Sequence, residues 1–114
     1  MDKSIKMLSP LTPEKLISCG VKLQVIYKHD GLTVVQDCIL VKTFEEEFLF
    51  QVISINGHYS GYIEGYIRKQ FESNSEKVNS CTGDHLENQL NENVFPNIQS
   101  IKILEPTNER IEKL

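Results

Sequence analysis

Residues 21–42, VKLQVIYKHDGLTVVQDCILVK, decide the fold class of this chain. In the first half of the stretch, Leu23, Val25 and Tyr27 share one face of an extended chain and mainly polar residues share the other. This alternation is typical of a half-buried β-strand. The Asp-Gly dipeptide at positions 30 and 31 tolerates the positive φ angles that a two-residue hairpin turn requires. The stretch therefore predicts a β-hairpin.

The second arm of that hairpin is predicted to lie in the middle of a sheet. Residues 32–44 are rich in β-branched side chains and include an apolar run at 38–41, which indicates a strand covered on both faces. The apolar pattern stops at three glutamates, 45–47, and then resumes, so we expect a second hairpin with an acidic tip. The dipeptide Asn56-Gly57 predicts another tight turn.

Residues 60–71 fit two different periods. With period two, Tyr62, Glu64, Tyr66 and Arg68 share one face, opposite an apolar face. With the helical period the apolar residues also line up on one side. Because Gly61 and Gly65 would each cost up to about 1 kcal/mol in a helix interior, we favour an outer strand with an aromatic face in contact with water.

Helices are predicted only outside the hairpins. Thr12 and Pro13 fit the N-cap and the first position of a short helix over residues 12–18. Residues 73–93 are mostly polar and are expected to form a flexible loop, in which Asp84 can cap a short helix that carries Leu86 and Leu90. A last strand is expected at 97–104, with an N-terminal segment at 1–10 and a tail at 106–114.

Together these elements predict one α+β domain, mainly β, over residues 1–114. Its centre is a small antiparallel sheet of four to six strands, in the form of a curved sheet or a partly open barrel. A short N-terminal helix completes the domain. The polar loop can contribute a second short helix.

Composition excludes several classes of protein. Sixteen acidic against twelve basic side chains give a net charge of −4, and no basic cluster extends beyond Arg68-Lys69, so direct nucleic-acid binding is not expected. No apolar run approaches the roughly 18 residues that cross a bilayer, and no secretory signal opens the sequence. Cys19, Cys38 and Cys81 lack a Cys-x-x-Cys spacing and are expected to be free thiols. We therefore expect a cytoplasmic protein that does not contact a membrane.

Two pairs of residues could carry chemistry, and each has a simpler interpretation. Cys81 and His85 have a spacing that suits a thiolate–imidazolium pair or half a zinc site, but they lie in a polar segment that reads as an ordinary loop. His29 and His58 each flank a predicted turn and could meet to bind a metal, although exposed turn histidines are far commoner. We expect no catalytic residues, no metal and no cofactor.

The predicted outer strand and the acidic tip form the best candidate binding surface. Tyrosines supply rigid, amphipathic contact area, unless the polar loop or its helix covers the rings. Exposed carboxylates could occupy the positive cleft of a nuclease in place of phosphates. The residues predicted to bind a partner are Tyr59, Tyr62, Glu64, Tyr66, Arg68, Glu45, Glu46 and Glu47.

These features favour a non-enzymatic, acidic protein-binding module of the immunity-protein, antitoxin or inhibitor type, which occludes the functional surface of a basic protein such as a toxin or a nuclease. The main alternative is a small-ligand-binding or regulatory β-barrel with the polar loop as its lid. An enzyme that uses Cys81 and His85 is a third possibility. The chain is expected to be a monomer or a weak homodimer in which exposed outer strands pair.

Overall fold

The computed structural model of the chain describes residues 6–58 and 60–106. The strands are β1 (Lys6–Pro10), β2 (Leu16–Ser18), β3 (Lys22–His29), β4 (Leu32–Lys42), β5 (Phe48–Ser54), β6 (Ile63–Arg68), β7 (Ser80–Thr82) and β8 (Ile98–Pro106), and α1 (Gly83–Asn93) is the one helix of the described part. In that part of the chain no helix is long and apolar enough to span a bilayer.

Six of the strands form one antiparallel sheet in the order β1-β8-β3-β4-β5-β6, and β2 pairs with β7 in a small second sheet. The mainly β, antiparallel prediction is confirmed, at the upper end of its range of strand number. The large sheet has two edges, β1 and β6, and is not closed into a barrel. As predicted, β4 lies near the middle and residues 98–106 form a late strand, whereas β1 was not predicted.

The first hairpin has the predicted turn, but the second tight turn is wrong. Asp30 and Gly31 have φ angles of 53° and 80° between β3 and β4. Of the pair Asn56-Gly57 only Gly57 has a positive φ, and β5 and β6 are joined by eight residues, 55–62. The reason is that the Asn56 side chain turns back to β4. Its Oδ1 accepts hydrogen bonds there from Gln36 Nε2 at 2.6 Å and from the backbone amide of Asp37 at 3.2 Å.

The predicted N-terminal helix over residues 12–18 is wrong. The segment makes one turn and then forms β2, in which the fully buried Ile17 pairs with Cys81 of β7. The carbonyl groups that a helix would use internally accept hydrogen bonds from elsewhere: Gly83 N donates to Lys15 O at 2.8 Å. A seven-residue helix has little stability of its own, so this pairing with β7 and the start of α1 replaces it.

The polar stretch 73–93 is more ordered than predicted, because β7 and α1 lie within it. Thr82, rather than the predicted Asp84, is the N-cap of α1, and its hydroxyl accepts a hydrogen bond from the first turn. The predicted pair Leu86 and Leu90 is confirmed as the apolar side of the helix, and both side chains are fully buried rather than loosely docked.

The core lies on one face of the large sheet, under α1 and the β2–β7 pair. Two glycines allow this close packing: a Cβ at Gly65 would lie 2.8 Å from Val94 Cγ2, and one at Gly83 would overlap the Thr12 carbonyl oxygen. The buried members of the core are Ile17, Leu23, Val25, Cys38, Leu40, Leu49, Phe50, Val52, Ile67, Cys81, Leu86, Leu90, Phe95, Ile101 and Ile103.

The opposite face of the large sheet, called the outer face below, is only partly covered. Directly opposed residues lie on the same face of a sheet. On β4, Ile39 and Val41 alternate with the buried Cys38 and Leu40 and stay partly exposed, so the predicted coverage of β4 is complete on one face only. One row of opposed residues crosses the outer face from edge to edge and is apolar except for its lysine: Leu8, Leu104, Lys22, Ile39, Ile53 and Ile63.

Candidate partner-binding site

A β-bulge in β6 redistributes the residues of the predicted tyrosine face. Gly65 pairs with Val52, and the next pair along the two strands is Ile63 with Ile53. Glu64 therefore has no partner in β5 and is the extra residue of the bulge. Ile63 and Tyr66 therefore lie on the outer face, and Glu64 is turned away from them. The prediction that Glu64 shares the face of Tyr66 and Arg68 is wrong because simple alternation ignores the bulge.

Glu64 serves the interior instead of the surface. The hydroxyl of the fully buried Ser54 donates a hydrogen bond of 2.6 Å to Glu64 Oε2. Burial, reinforced by the nearby charges of Asp37 and Glu64, raises the pKa of the Cys38 thiol to about 12. The carboxylate of Glu64 thus satisfies a buried polar group, and we remove it from the candidate binding surface.

Tyr66 and Arg68 belong to a stack of side chains on the outer face. The Phe48 and Tyr66 ring centroids are 5.0 Å apart, and the Arg68 guanidinium carbon lies 5.3 Å from the Phe48 centroid. The two predicted residues are brought together by Phe48, which sequence reasoning missed. The signal in the sequence was the run Phe48-Leu49-Phe50, because three successive apolar residues do not fit simple alternation. A register shift with β6 turns Leu49 and Phe50 inward, and both are buried.

The other predicted tyrosines do not join this stack. Tyr62 is 61% exposed and precedes β6, where its carbonyl accepts a hydrogen bond of 3.0 Å from Ser54 N. Tyr59 lies outside the described residues. Tyr66 is half-buried in the stack, and the predicted patch of Tyr59, Tyr62 and Tyr66 stays a prediction, because one of its three members is not among the described residues.

The acidic tip between β4 and β5 is present as predicted, with Glu45, Glu46 and Glu47 all exposed. Its backbone is held in place: Phe48 N donates to Glu45 O at 3.2 Å, and Lys69 N donates to Glu47 O at 3.3 Å. Phe44 at the start of the tip is 99% exposed. Sequence reasoning assigned Phe44 to the end of a strand and missed it as a surface feature.

A cleft of about 260 Å³ lies behind the tip. Residues of both charges and two aromatic residues line it, among them Phe44, Phe48, Lys42, Lys69, Glu45, Glu46 and Cys19. The cleft connects the tip with the aromatic stack, because Phe48 contributes to both. The surface formed by Phe44, the three glutamates, Phe48, Tyr66 and Arg68 is called the tip surface below.

The Cys81 and His85 pair is not arranged for nucleophilic catalysis. Cys81 is fully buried between β2 and α1, and burial raises the pKa of its thiol to about 12. His85 Nε2 lies 2.8 Å from the carbonyl oxygen of Arg68, so the imidazole is engaged with β6. An activated thiolate needs a lowered pKa and an adjacent base, and the environment of Cys81 has the opposite effect on its pKa.

The two turn histidines lie at the same end of the sheet, as the hairpin order predicts, but no metal site follows from this placement. His29 Nε2 is 3.5 Å from a carboxylate oxygen of its neighbour Asp30. Within residues 6–58 and 60–106, no three His, Cys, Asp or Glu side chains are close enough to hold a metal ion together.

Comparison of the chain with protein-family models, with curated proteins and with solved structures returned no match.

Proposed function

We propose that this chain is a non-enzymatic protein-binding module that neutralises or regulates its partner by covering the partner's functional surface. The observation that carries the proposal is the full exposure of Phe44 beside three exposed glutamates. A phenylalanine with 99% of its surface in water contributes almost nothing to the core. Buried aromatic anchors contribute much of the affinity in protein interfaces, so Phe44 is suited to fill a pocket on a partner.

The chemistry of the tip surface favours a basic partner. Three adjacent carboxylates would face cations on that partner, such as those that line the phosphate-binding cleft of a nuclease toxin. Opposite charges would accelerate association, while Phe44 would supply contact area. Immunity proteins, antitoxins and inhibitors act in this way on their targets, and the three free thiols are in keeping with a cytoplasmic location.

The backbone of the tip supports the same proposal. Hydrogen bonds at Glu45 and Glu47 and the stack of Phe48 with Tyr66 and Arg68 hold the tip against β6. A surface that is already ordered loses less conformational entropy when it binds. Tyr66 and Arg68 therefore act as the rigid support and flank of the tip in this proposal.

The experiment is affinity capture from the source cells with the intact chain and two matched variants. Phe44→Ala should reduce retention of the specific partner at least tenfold, because truncating an anchor costs about 2 kcal/mol or more. Leu32→Ala is the control, since Leu32 is 70% exposed at the start of β4, at the opposite end of that strand from the tip. Retention should be unaffected by this control.

Neutral replacement of the three glutamates tests the charge of the partner. The variant with Gln at positions 45, 46 and 47 should bind more slowly, and its association rate should depend less on salt. A partner that binds Phe44→Ala as tightly as the intact chain would show that the tip surface is not the binding site, and the proposal would be withdrawn.

A second candidate function is the binding of a small ligand in the cleft behind the tip. The cleft is lined by two lysines and two glutamates beside aromatic residues, which suits a small ligand that carries both charges and an apolar part. Its volume of about 260 Å³ is just below the usual range for ligand sites, roughly 300–1,000 Å³. A thermal-shift screen against metabolites would separate this function from protein binding, since only the ligand binder should be stabilised.

A further inference from the structure

The two edges of the large sheet differ in how their backbone groups are used. At the β6 edge, His85 Nε2 contacts the Arg68 carbonyl oxygen at 2.8 Å, and the Arg68 amide donates to Gln89 Oε1 at 2.9 Å. The end of α1 also lies against Gly65, in contact range of Val94. At the β6 edge the backbone groups of Arg68 are therefore occupied by side chains of α1.

The direction of the backbone groups in β1 can be derived from the registers, starting at the first hairpin. A two-residue turn closes on a hydrogen-bonded pair, here His29 and Leu32. Odd-numbered residues of β3 therefore bond to β4, and even-numbered residues bond to β8. Lys22 pairs with Leu104, so Leu104 directs its N–H and C=O towards β3.

The same alternation continues from β8 to β1. Because Leu104 bonds to β3, its neighbour Ile103 bonds to β1, where it pairs with Ser9. The next residues of β1 in either direction, Leu8 and Pro10, then direct their backbone groups to the free edge, as does Lys6. The position of Pro10 agrees with this assignment, since a proline is tolerated in a strand where its missing N–H faces away from the ladder.

We propose that β1 pairs antiparallel with β1 of a second copy of this chain, around a two-fold axis at Leu8. In this register Leu8 faces Leu8 of the second copy, and Lys6 faces Pro10. Each Leu8 donates and accepts one hydrogen bond, and each Lys6 amide donates to the Pro10 carbonyl of the other copy, which makes four bonds in all. The two six-stranded sheets would become one sheet of twelve strands.

Self-complementarity favours a second copy over an unrelated strand. The β1 edge offers two donors and three acceptors, and in the two-fold register every donor meets an acceptor. Leu8 is 45% exposed beside Leu104, so the Leu8 side chains of two copies would extend the apolar row of the outer face across the new pair.

The test is sedimentation equilibrium of the intact chain over a wide concentration range. The expected result is reversible association to twice the mass of the 13.1 kDa chain. Leu8→Lys should weaken the association constant at least tenfold, because two lysines would face each other on the axis. Ile63→Lys is the matched control, since Ile63 is 51% exposed at the opposite end of the same row. It should dimerise like the intact chain.

Hydrogen exchange of the unmodified chain gives a second measurement that does not depend on variants. The amides of Lys6 and Leu8 should exchange more slowly as the protein concentration rises, while those of Met7 and Ser9, which bond to β8, should not change. A chain that stays monomeric at all concentrations overturns the proposal. So does a dimer that Ile63→Lys disrupts and Leu8→Lys leaves intact, which would place the interface on another surface. Neither result bears on the tip surface, which lies elsewhere on the molecule.

Discussion

The two faces of the large sheet carry similar apolar residues but have different neighbours. On β4, Leu40 lies on the core face and is fully buried, whereas its neighbour Ile39 lies on the outer face and is partly exposed. The core residues on one side are enclosed by the helix and the β2–β7 pair, whereas Leu8 and Ile63, at the two ends of the row on the other side, are 45% and 51% exposed. Most of the stabilisation by burial must therefore come from one face.

The largest expected difference between the two environments is in thiol reactivity. Cys38 and Cys81 are buried in the core, and Cys19 is exposed near the tip surface. Cys19 should react with a disulfide reagent such as dithiobis-nitrobenzoate at least about 1,000-fold faster, because buried thiols react only through opening that costs roughly 5 kcal/mol or more. In denaturant the three rates should converge, and fast labelling of Cys81 in the folded protein would contradict the assignment of a sealed core.

The neighbours Leu40 and Ile39 allow a direct comparison of the two faces. Leu40→Ala should lower the free energy of unfolding by about 2–5 kcal/mol, because it leaves a cavity in the core. Ile39→Ala removes a similar number of atoms from the outer face and should cost about 1 kcal/mol. Urea denaturation of both variants measures the difference. Equal losses would mean that another layer covers the outer face in solution.

Alkaline pH should lower the free energy of unfolding through the two buried thiols of the core. Burial raises the pKa of Cys38 and Cys81 from 9.0 to about 12, so the unfolded chain releases these protons at lower pH than the folded chain. The contribution of these thiols to the free energy of unfolding is therefore fully present below pH 9. It falls as the pH rises towards 12, by about 1 kcal/mol per thiol between pH 9 and 10. The Cys38→Ala and Cys81→Ala variants should each lose part of this slope, and unchanged slopes would contradict the cause.

Sequence reasoning succeeded where a local signal had no competitor. The turn residues Asp30 and Gly31 specify the first hairpin, and the spacing of Leu86 and Leu90 identifies the helix that covers the sheet. The helix cost of Gly61 and Gly65 led to the correct prediction of a strand within residues 60–71. The structure shows that Gly65 is also needed for contact with the end of α1.

The failures have one physical origin, which is pairing between distant segments. Residues 12–18 have helix-start signals, but contacts with residues about 70 positions later decide their conformation. The bulge at Glu64 depends on register with β5, which alternation along one strand cannot show. Phe44 was missed because an aromatic residue after an apolar run reads as the end of a strand, although its side chain lies in solvent.

The position of β8 between β1 and β3 has a consequence for the chain during its synthesis. The hairpins from β3 to β6 can assemble as soon as their residues leave the ribosome, since each strand pairs with the next. Within the described residues β1 pairs only with β8, so it has to wait until residues 98–106 emerge. Until that moment β3 is itself an unprotected edge, and a nascent chain at this stage is the form most in need of a chaperone.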